Sequence, residues 1–278
     1  MGSFLWYLLV VRMIQGNFTI IYIGEVMDGV HGNYKFKMVR EEGHGTFGEV
    51  HHIELYNVAD HHCGSYAIKF LKNLDPESND RLRRRFAREV AYQASCVHTN
   101  IANIYLCNLR VEQPWFIMDL AAANLSRDLS GGMSLKGKVS AFNMVLNGIK
   151  YMHDKGFLHR DIKPDNVLRF AGGVYKVSDF GLVKNLNKEM ESEVLTQIFA
   201  GGMGTPYFMA PEAFEGVYTE RSDIYSLGAL MRHMKLTSED EFDSVISKCT
   251  MNASRDRYVS VAALQEDFRR TVEGVIRD

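Results

Sequence analysis

Short apolar runs broken by glycine and polar turns fill the first part of the chain, and helical periodicity fills the rest. Residues 34–39, 50–55 and 65–70 are rich in β-branched and aromatic side chains and bounded by turn residues, which predicts strands. A glycine-rich turn separates the first two, and polar residues 57–64 separate the second and third. Residues 74–80, with Pro76, read as a loop, and the pattern then changes period. Leu82, Phe86, Val90 and Gln93 recur near one stripe of a helix predicted over 81–94. Two further strands are predicted at 104–109 and 115–120, a helix at 138–155, strands at 167–170 and 174–177, and helix for most of 223–278. Strands first and helices second imply an α+β chain with a small β-rich lobe holding one helix and a larger, mostly helical lobe.

Two apolar runs precede these elements. Residues 4–11 are continuously apolar but too short for a bilayer span, which takes about 20 residues. They lack a basic flank before and a small-residue cleavage site after, which argues against a signal peptide. Trp6 stands where a myristoylation signal has Ser or Thr. A second run at 18–23 follows a polar break, and two short strands fit the pair. Residues 1–33 are expected to be an extension packing on the first lobe, or a translated leader with the start at Met13 or Met27. The remaining boundaries are 34–119 for the first lobe and 120–278 for the second.

Composition narrows the class. The chain has 278 residues, 46% of them hydrophobic, enough for a substantial core. Lys and Arg total 32 against 34 Asp and Glu, so the formal charge of -2 gives no global attraction to nucleic acid or anionic lipid. Cys63, Cys96, Cys107 and Cys249 form no C-x-x-C pair, and such spacing suits free thiols in a reducing, cytoplasmic compartment.

Candidate chemistry is concentrated in His159-Arg160-Asp161-Ile162-Lys163-Pro164-Asp165-Asn166, followed by Asp179-Phe180-Gly181. Phosphoryl transfer asks a protein to hold an acceptor hydroxyl, hold metal on the polyphosphate and neutralise developing charge. Asp161 suits the first task by accepting the hydroxyl proton, and Lys163 steadies the transferring group. Asn166 and Asp179 offer hard oxygen ligands for Mg²⁺. These runs resemble the catalytic and metal motifs of protein kinases, over about residues 34–272. The resemblance implies a bilobal protein-kinase fold with ATP and Mg²⁺ as cofactors.

On that resemblance, Gly43, His44, Gly45, Thr46, Phe47 and Gly48 form the phosphate cradle, set between two strands rather than a strand and a helix. Val50 and Ala67 would face adenine, with Leu168 among the nucleotide-binding positions. Lys69 ends an apolar strand, where an ammonium needs an anion, and Glu89 in the next helix has the kinase spacing for its partner. Gln93 departs from the family, which places an apolar residue there. Met118 resembles the gatekeeper, and the backbone of Asp119 and Ala121 would bond the adenine edge.

Lys163 and the stretch from Gly204 to Glu212 resemble the Ser/Thr-directed branch. Thr205 would bridge Asp161 and Lys163, and Glu212 would pair with Arg257. Asp223 would hold the catalytic-loop backbone, and His159 would pack beneath the metal loop. Arg160 is the expected regulatory group, neutralised by a phosphate on Thr196 or, less favoured, Ser192. Little chain separates Asp223 from Arg257, so the helix and loop that follow this anchor in the family are expected to be missing.

Arg81, Arg83, Arg84, Arg85 and Arg88 read as a solvated helix face rather than a nucleic-acid site. His51, His52, His61, His62 and Cys63 do not read as a metal cluster, because neighbouring histidines on a strand point to opposite faces and zinc needs four convergent ligands. The sequence thus points to a Ser/Thr protein kinase acting on a protein substrate and autophosphorylating on its activation segment. No nucleic-acid partner or membrane span is expected. A pseudokinase scaffold and a small-molecule phosphotransferase are the alternatives.

Overall fold

The computed structural model describes residues 21–23, 26–44, 48–72, 76–187, 205–236 and 241–277. They form two compact units. The first takes in the described residues up to Ala87 together with Ile104–Leu120, and the second comprises Arg88–Asn103 and the described residues from Ala121 onward.

The first unit is built on one antiparallel sheet with strand order β1-β2-β3-β4-β5-β7-β6. Its strands are β1 (Ile21–Ile23), β2 (Val26–His31), β3 (Tyr34–His44), β4 (Gly48–Asn57), β5 (His62–Leu71), β6 (Ile104–Asn108) and β7 (Trp115–Asp119). Ile53, Ile68, Trp115 and Ile117 form its core with Phe36 and Leu55. Gly29 sits opposite Phe36, and a Cβ there would collide with the Phe36 ring, so this strand pair needs glycine at that point. β3 runs past the stretch predicted from sequence and carries register shifts between Met38 and Arg40 and between Glu41 and Gly43. Those bulges interrupt the alternation that marks a strand in sequence.

Helix α1 (Pro76–Ala94) begins earlier than predicted. Pro76 is its first residue, where a missing N–H costs nothing and a fixed φ suits the first turn, so proline opens the helix rather than excluding it. The predicted stripe is buried: Leu82, Phe86, Val90 and Gln93 are 8%, 3%, 4% and 1% exposed. Gln93 satisfies its burial by donating its side-chain N–H to the Ala102 carbonyl at 3.0 Å. The segment after α1 belongs with the second unit because Ala102 N–H bonds Val177 O, Ile101 bridges Val177, and His98 stacks on Tyr151.

In the second unit, β8 (Ala123–Asn124), β10 (Val167–Arg169) and β11 (Tyr175–Val177) make a small sheet in the order β11-β10-β8, and β9 (Phe157–Leu158) pairs with β12 (Lys184–Asn185). The helices are α2 (Leu125–Ser130), α3 (Leu135–Asp154), α4 (Glu220–His233), α5 (Glu241–Cys249) and α6 (Val261–Arg277). Ser134 caps α3, accepting Gly137 N–H at 3.2 Å, which starts that helix ahead of the predicted position. Phe142, Leu146 and Ile149 pack with Ile224, Leu227, Phe242, Leu264 and Phe268 in one core. Gly228 lets α4 approach α5, since a Cβ there would run into Cys249. Met234 and Leu236, in a stretch that reads as mostly polar, are 1% and 0% exposed. Among the described residues no helix is long and apolar enough to cross a membrane.

Candidate active site

The catalytic run lies between β9 and β10 and is held from below by one carboxylate. Asp223, 1% exposed in α4, accepts the N–H of His159 at 2.8 Å and of Arg160 at 2.9 Å. The same group meets His153 Nε2 at 2.8 Å. Burial would raise the Asp223 carboxyl, but the His153 contact and these N–H groups hold it below its ordinary value. Arg160 takes φ 70°, a left-handed conformation rare for a side-chain-bearing residue, and the Asp223 bonds to its own N–H and to that of His159 stabilise the turn.

His159 is 0% exposed and packs edge-on against Phe180 with ring centroids 5.8 Å apart. Its Nδ1 accepts Asp161 N–H at 3.3 Å, so Nε2 carries the proton and donates to Ser178 O at 3.1 Å. A neutral imidazole in one tautomer thereby joins the catalytic run to the segment leading into Asp179.

Asn166 makes the second joint. Its side-chain nitrogen donates to the Asp161 carbonyl at 2.8 Å and to Asp161 Oδ2 at 2.9 Å. Both partners can only accept, so the amide nitrogen must face Asp161 and its oxygen is turned away, available to a cation. The Asn166 carbonyl accepts Ser178 N–H at 2.9 Å and Ser178 Oγ–H at 3.1 Å, which ties Asn166 to the Asp179 segment. Asp179 itself has φ 60° and accepts Gly181 N–H at 3.3 Å. Lys163 Nζ lies 2.8 Å from Asp161 Oδ2. Lys163 and Asn166 thus converge on the Asp161 carboxylate.

In the first unit, cross-strand pairs set out a second group of the sequence-selected residues. Val50 pairs with Lys69, Lys69 with Phe116, and Ala67 with Met118, so these side chains share one face of the sheet. The Lys69 ammonium lies 5.7 Å from the Phe116 ring centroid. Gly43 and Gly48 stand where β3 and β4 enter the glycine-rich turn, whereas Gly45, Thr46, Phe47 and the His44 side chain lie outside the described residues. Asp119 ends β7 and its carboxylate accepts the Tyr105 hydroxyl. Glu89 is 5% exposed in α1. His52, Glu54 and Ser65 continue the face that carries Val50 and Ala67, and Glu54 gathers both His52 and His62.

The segment that resumes at Thr205 is anchored on α4 and the chain before α6. Glu212 and Arg257 form a bidentate pair at 2.7 and 2.8 Å, as expected from sequence, and Ser222 Oγ–H also reaches Glu212 at 2.8 Å. Thr205 receives Phe208 N–H on its carbonyl, while Lys163 reaches Asp161 without it. The Arg160 guanidinium lies 3.8 Å from the Tyr218 ring centroid, a contact with no signal in the sequence. Ser192 and Thr196 lie outside the described residues.

Sequence reasoning also missed a polar cluster beside Leu168. Asp128 in α2 receives Arg169 Nε–H at 2.7 Å and Nη2–H at 3.0 Å, and the Tyr175 hydroxyl at 2.7 Å. Burial would raise the Asp128 carboxyl, but these donors hold it low, and burial followed by the neighbouring carboxylate pushes the Tyr175 phenol well up. Asp128 is more than forty residues from Arg169 and Tyr175, and the three belong to no motif.

The protein kinase domain family model matches residues 36–274. The chain belongs to the protein kinase domain family. This kinase domain is 26% identical to the serine/threonine-protein kinase PknD of Chlamydia caviae, in an alignment covering 86% of the chain and 31% of that protein. It is 29% identical to the protein of the same name from Chlamydia trachomatis serovar L2b, over 72% of the chain and 24% of the relative. The kinase domain thus spans less than a third of the length of these curated relatives.

Proposed function

We propose that this kinase domain transfers the γ-phosphoryl group of ATP to serine or threonine hydroxyls of protein substrates. The observation that carries the reading is the convergence of Lys163 and Asn166 on Asp161, which fixes the carboxylate where it can orient a hydroxyl and take its proton. Asn166 and Asp179 would hold Mg²⁺, and the outward amide oxygen of Asn166 suits a hard cation. Bound there, Mg²⁺ supplies charge neutralisation on the polyphosphate. Val50, Ala67, Met118 and Leu168, with the backbone of Asp119 and Ala121, would receive the base. Gly43 to Gly48 and Lys69 would receive the phosphates, with Glu89 aligning Lys69.

The names of the relatives favour the serine/threonine branch, as does Lys163 placed against Asp161. Regulation is assigned to Arg160, Thr205 and a phosphate on Thr196. Cys63, Cys96, Cys107 and Cys249 are all free thiols, which supports a reducing, cytoplasmic setting. The test is label transfer from Mg²⁺ and γ-labelled ATP to a generic basic protein by the wild type and by Asp161→Asn. Phosphoserine or phosphothreonine from the wild type, lowered about 10²- to 10⁴-fold in the variant, is expected. Equal transfer by both proteins would overturn the reading.

A further inference from the structure

We propose that Asp128 is a positioning residue for the nucleotide: by gripping Arg169 and Tyr175 it holds residues 121–124 and Leu168 in the register that receives the base. The inference rests on the kinase reading above and adds to it a group that contacts neither ATP nor substrate.

Arg169 is the middle of the argument. Its main chain stands across from Ala123 on one side and Tyr175 on the other, and its carbonyl accepts Ala122 N–H at 2.8 Å. Its side chain emerges on the face opposite to that of Leu168, because successive residues of a strand alternate. Leu168 in turn shares its face with Asn124 and Lys176, its cross-strand partners. Holding Arg169 from behind therefore fixes the face that Leu168 presents.

Asp128 performs that holding from α2, which follows β8 without a break. A helix as short as Leu125–Ser130 has little stability of its own and takes its position from what it is tied to. Asn124 caps its start, accepting Arg127 N–H at 2.9 Å, and Leu125 is 0% exposed. The Asp128 carboxylate then ties the same helix to β10 through Arg169 and to β11 through Tyr175. One side chain thus connects every strand of the sheet that displays Leu168 with the segment entering at Ala121.

The clasp reaches the core through Tyr175, which is 5% exposed, while the Asp128–Arg169 pair lies at the edge of that core with side chains 15% and 35% exposed. Its effect is expected on the local register and so on nucleotide affinity, with the catalytic run around Asp161 held independently by Asp223.

The test compares the wild type with Asp128→Asn, Asp128→Glu and Tyr175→Phe. It measures kcat, KM for ATP, KM for the protein substrate, ADP affinity by calorimetry and thermal melting. Asp128→Asn is expected to raise KM for ATP and the ADP Kd about fivefold or more, with kcat and the protein-substrate KM little changed. Tyr175→Phe should give a smaller rise, and Asp128→Glu should recover most of the affinity. A folded Asp128→Asn protein with wild-type nucleotide constants would overturn the positioning role while leaving the kinase reading intact. A fall in kcat at unchanged KM, together with a lowered melting temperature, would also overturn it, because that marks a merely structural clasp. Absence of nucleotide binding by the wild type would overturn the kinase reading and this proposal with it.

Discussion

Arg257 closes on Glu212 with two parallel hydrogen bonds, at 2.7 and 2.8 Å, while its own side chain is 0% exposed. The same guanidinium donates to the carbonyls of Met251, Arg221 and Asn252, so every edge of the planar group is occupied. Arg257→Ala should therefore lower unfolding free energy by about 3–5 kcal/mol, because it leaves a largely buried carboxylate without its cation. Urea denaturation checks this, and Arg257→Lys should recover only part of the loss, since a point ammonium cannot reproduce the fork.

The acid limb of stability follows from the same pair. Burial would raise the Glu212 carboxyl, but Arg257 and Ser222 hold it below its ordinary 4.5, and Asp223 is likewise held below 3.8. A carboxyl whose folded pKa is depressed contributes stability that is fully present above its unfolded pKa and lost as pH falls through the folded value. Unfolding free energy should thus hold steady toward neutrality with respect to these groups and decline below about pH 4.5. In Glu212→Gln the decline should be shallower, as read from denaturation midpoints across pH.

Asn166→Ala removes both side-chain donors to Asp161 and the amide oxygen turned away from it. The expected result is a fall in kcat of about 10²-fold and a higher Mg²⁺ concentration for half-maximal rate. Steady-state kinetics with Mg²⁺ titration measures both. An unchanged Mg²⁺ requirement would remove Asn166 from the metal site.

Gly228→Ala would force a methyl into Cys249 where α4 crosses α5. Overpacking at such a contact costs about 1–3 kcal/mol, and thermal melting should fall accordingly. Pairing the change with Cys249→Gly should restore part of the stability by making room for the methyl.

Much of the site was readable because its residues sit in short contiguous runs. Asp161, Lys163 and Asn166 lie within one turn of chain, so their convergence needs little tertiary information. Asp223 and Arg257 were readable for a different reason, since the resemblance to the kinase family implies a carboxylate at the start of the anchor helix and an arginine late in the chain as the partner of Glu212. What escaped notice depends on distance in sequence. Asp128, Arg169 and Tyr175 come from three elements, and each alone looks like an ordinary surface residue. The Arg160 contact with Tyr218 is hidden in the same way. Gln93 looked like a misfit at an apolar position, and only the Ala102 carbonyl across from it explains why an amide is accommodated. Pro76 misled because a proline signals a break when its place relative to the helix start is not known.

Strands β1 and β2 lie outside the family match, which begins at residue 36, yet β2 pairs along β3 from Tyr34 to Lys37. Among the described residues the outermost strands of this sheet are the short β1 and β6, while the 11-residue β3 is paired by β4 along its length and by β2 only from Tyr34 to Lys37. A long strand with unsatisfied N–H and C=O groups along one side is a template for pairing with another copy of the chain. Trimming the protein to the family boundary would remove β1, β2 and the first two residues of β3, leaving Phe36 and Lys37 at the start of an edge strand without their β2 partners, and pairing there with another copy of the chain would precede any change in the chemistry at Asp161.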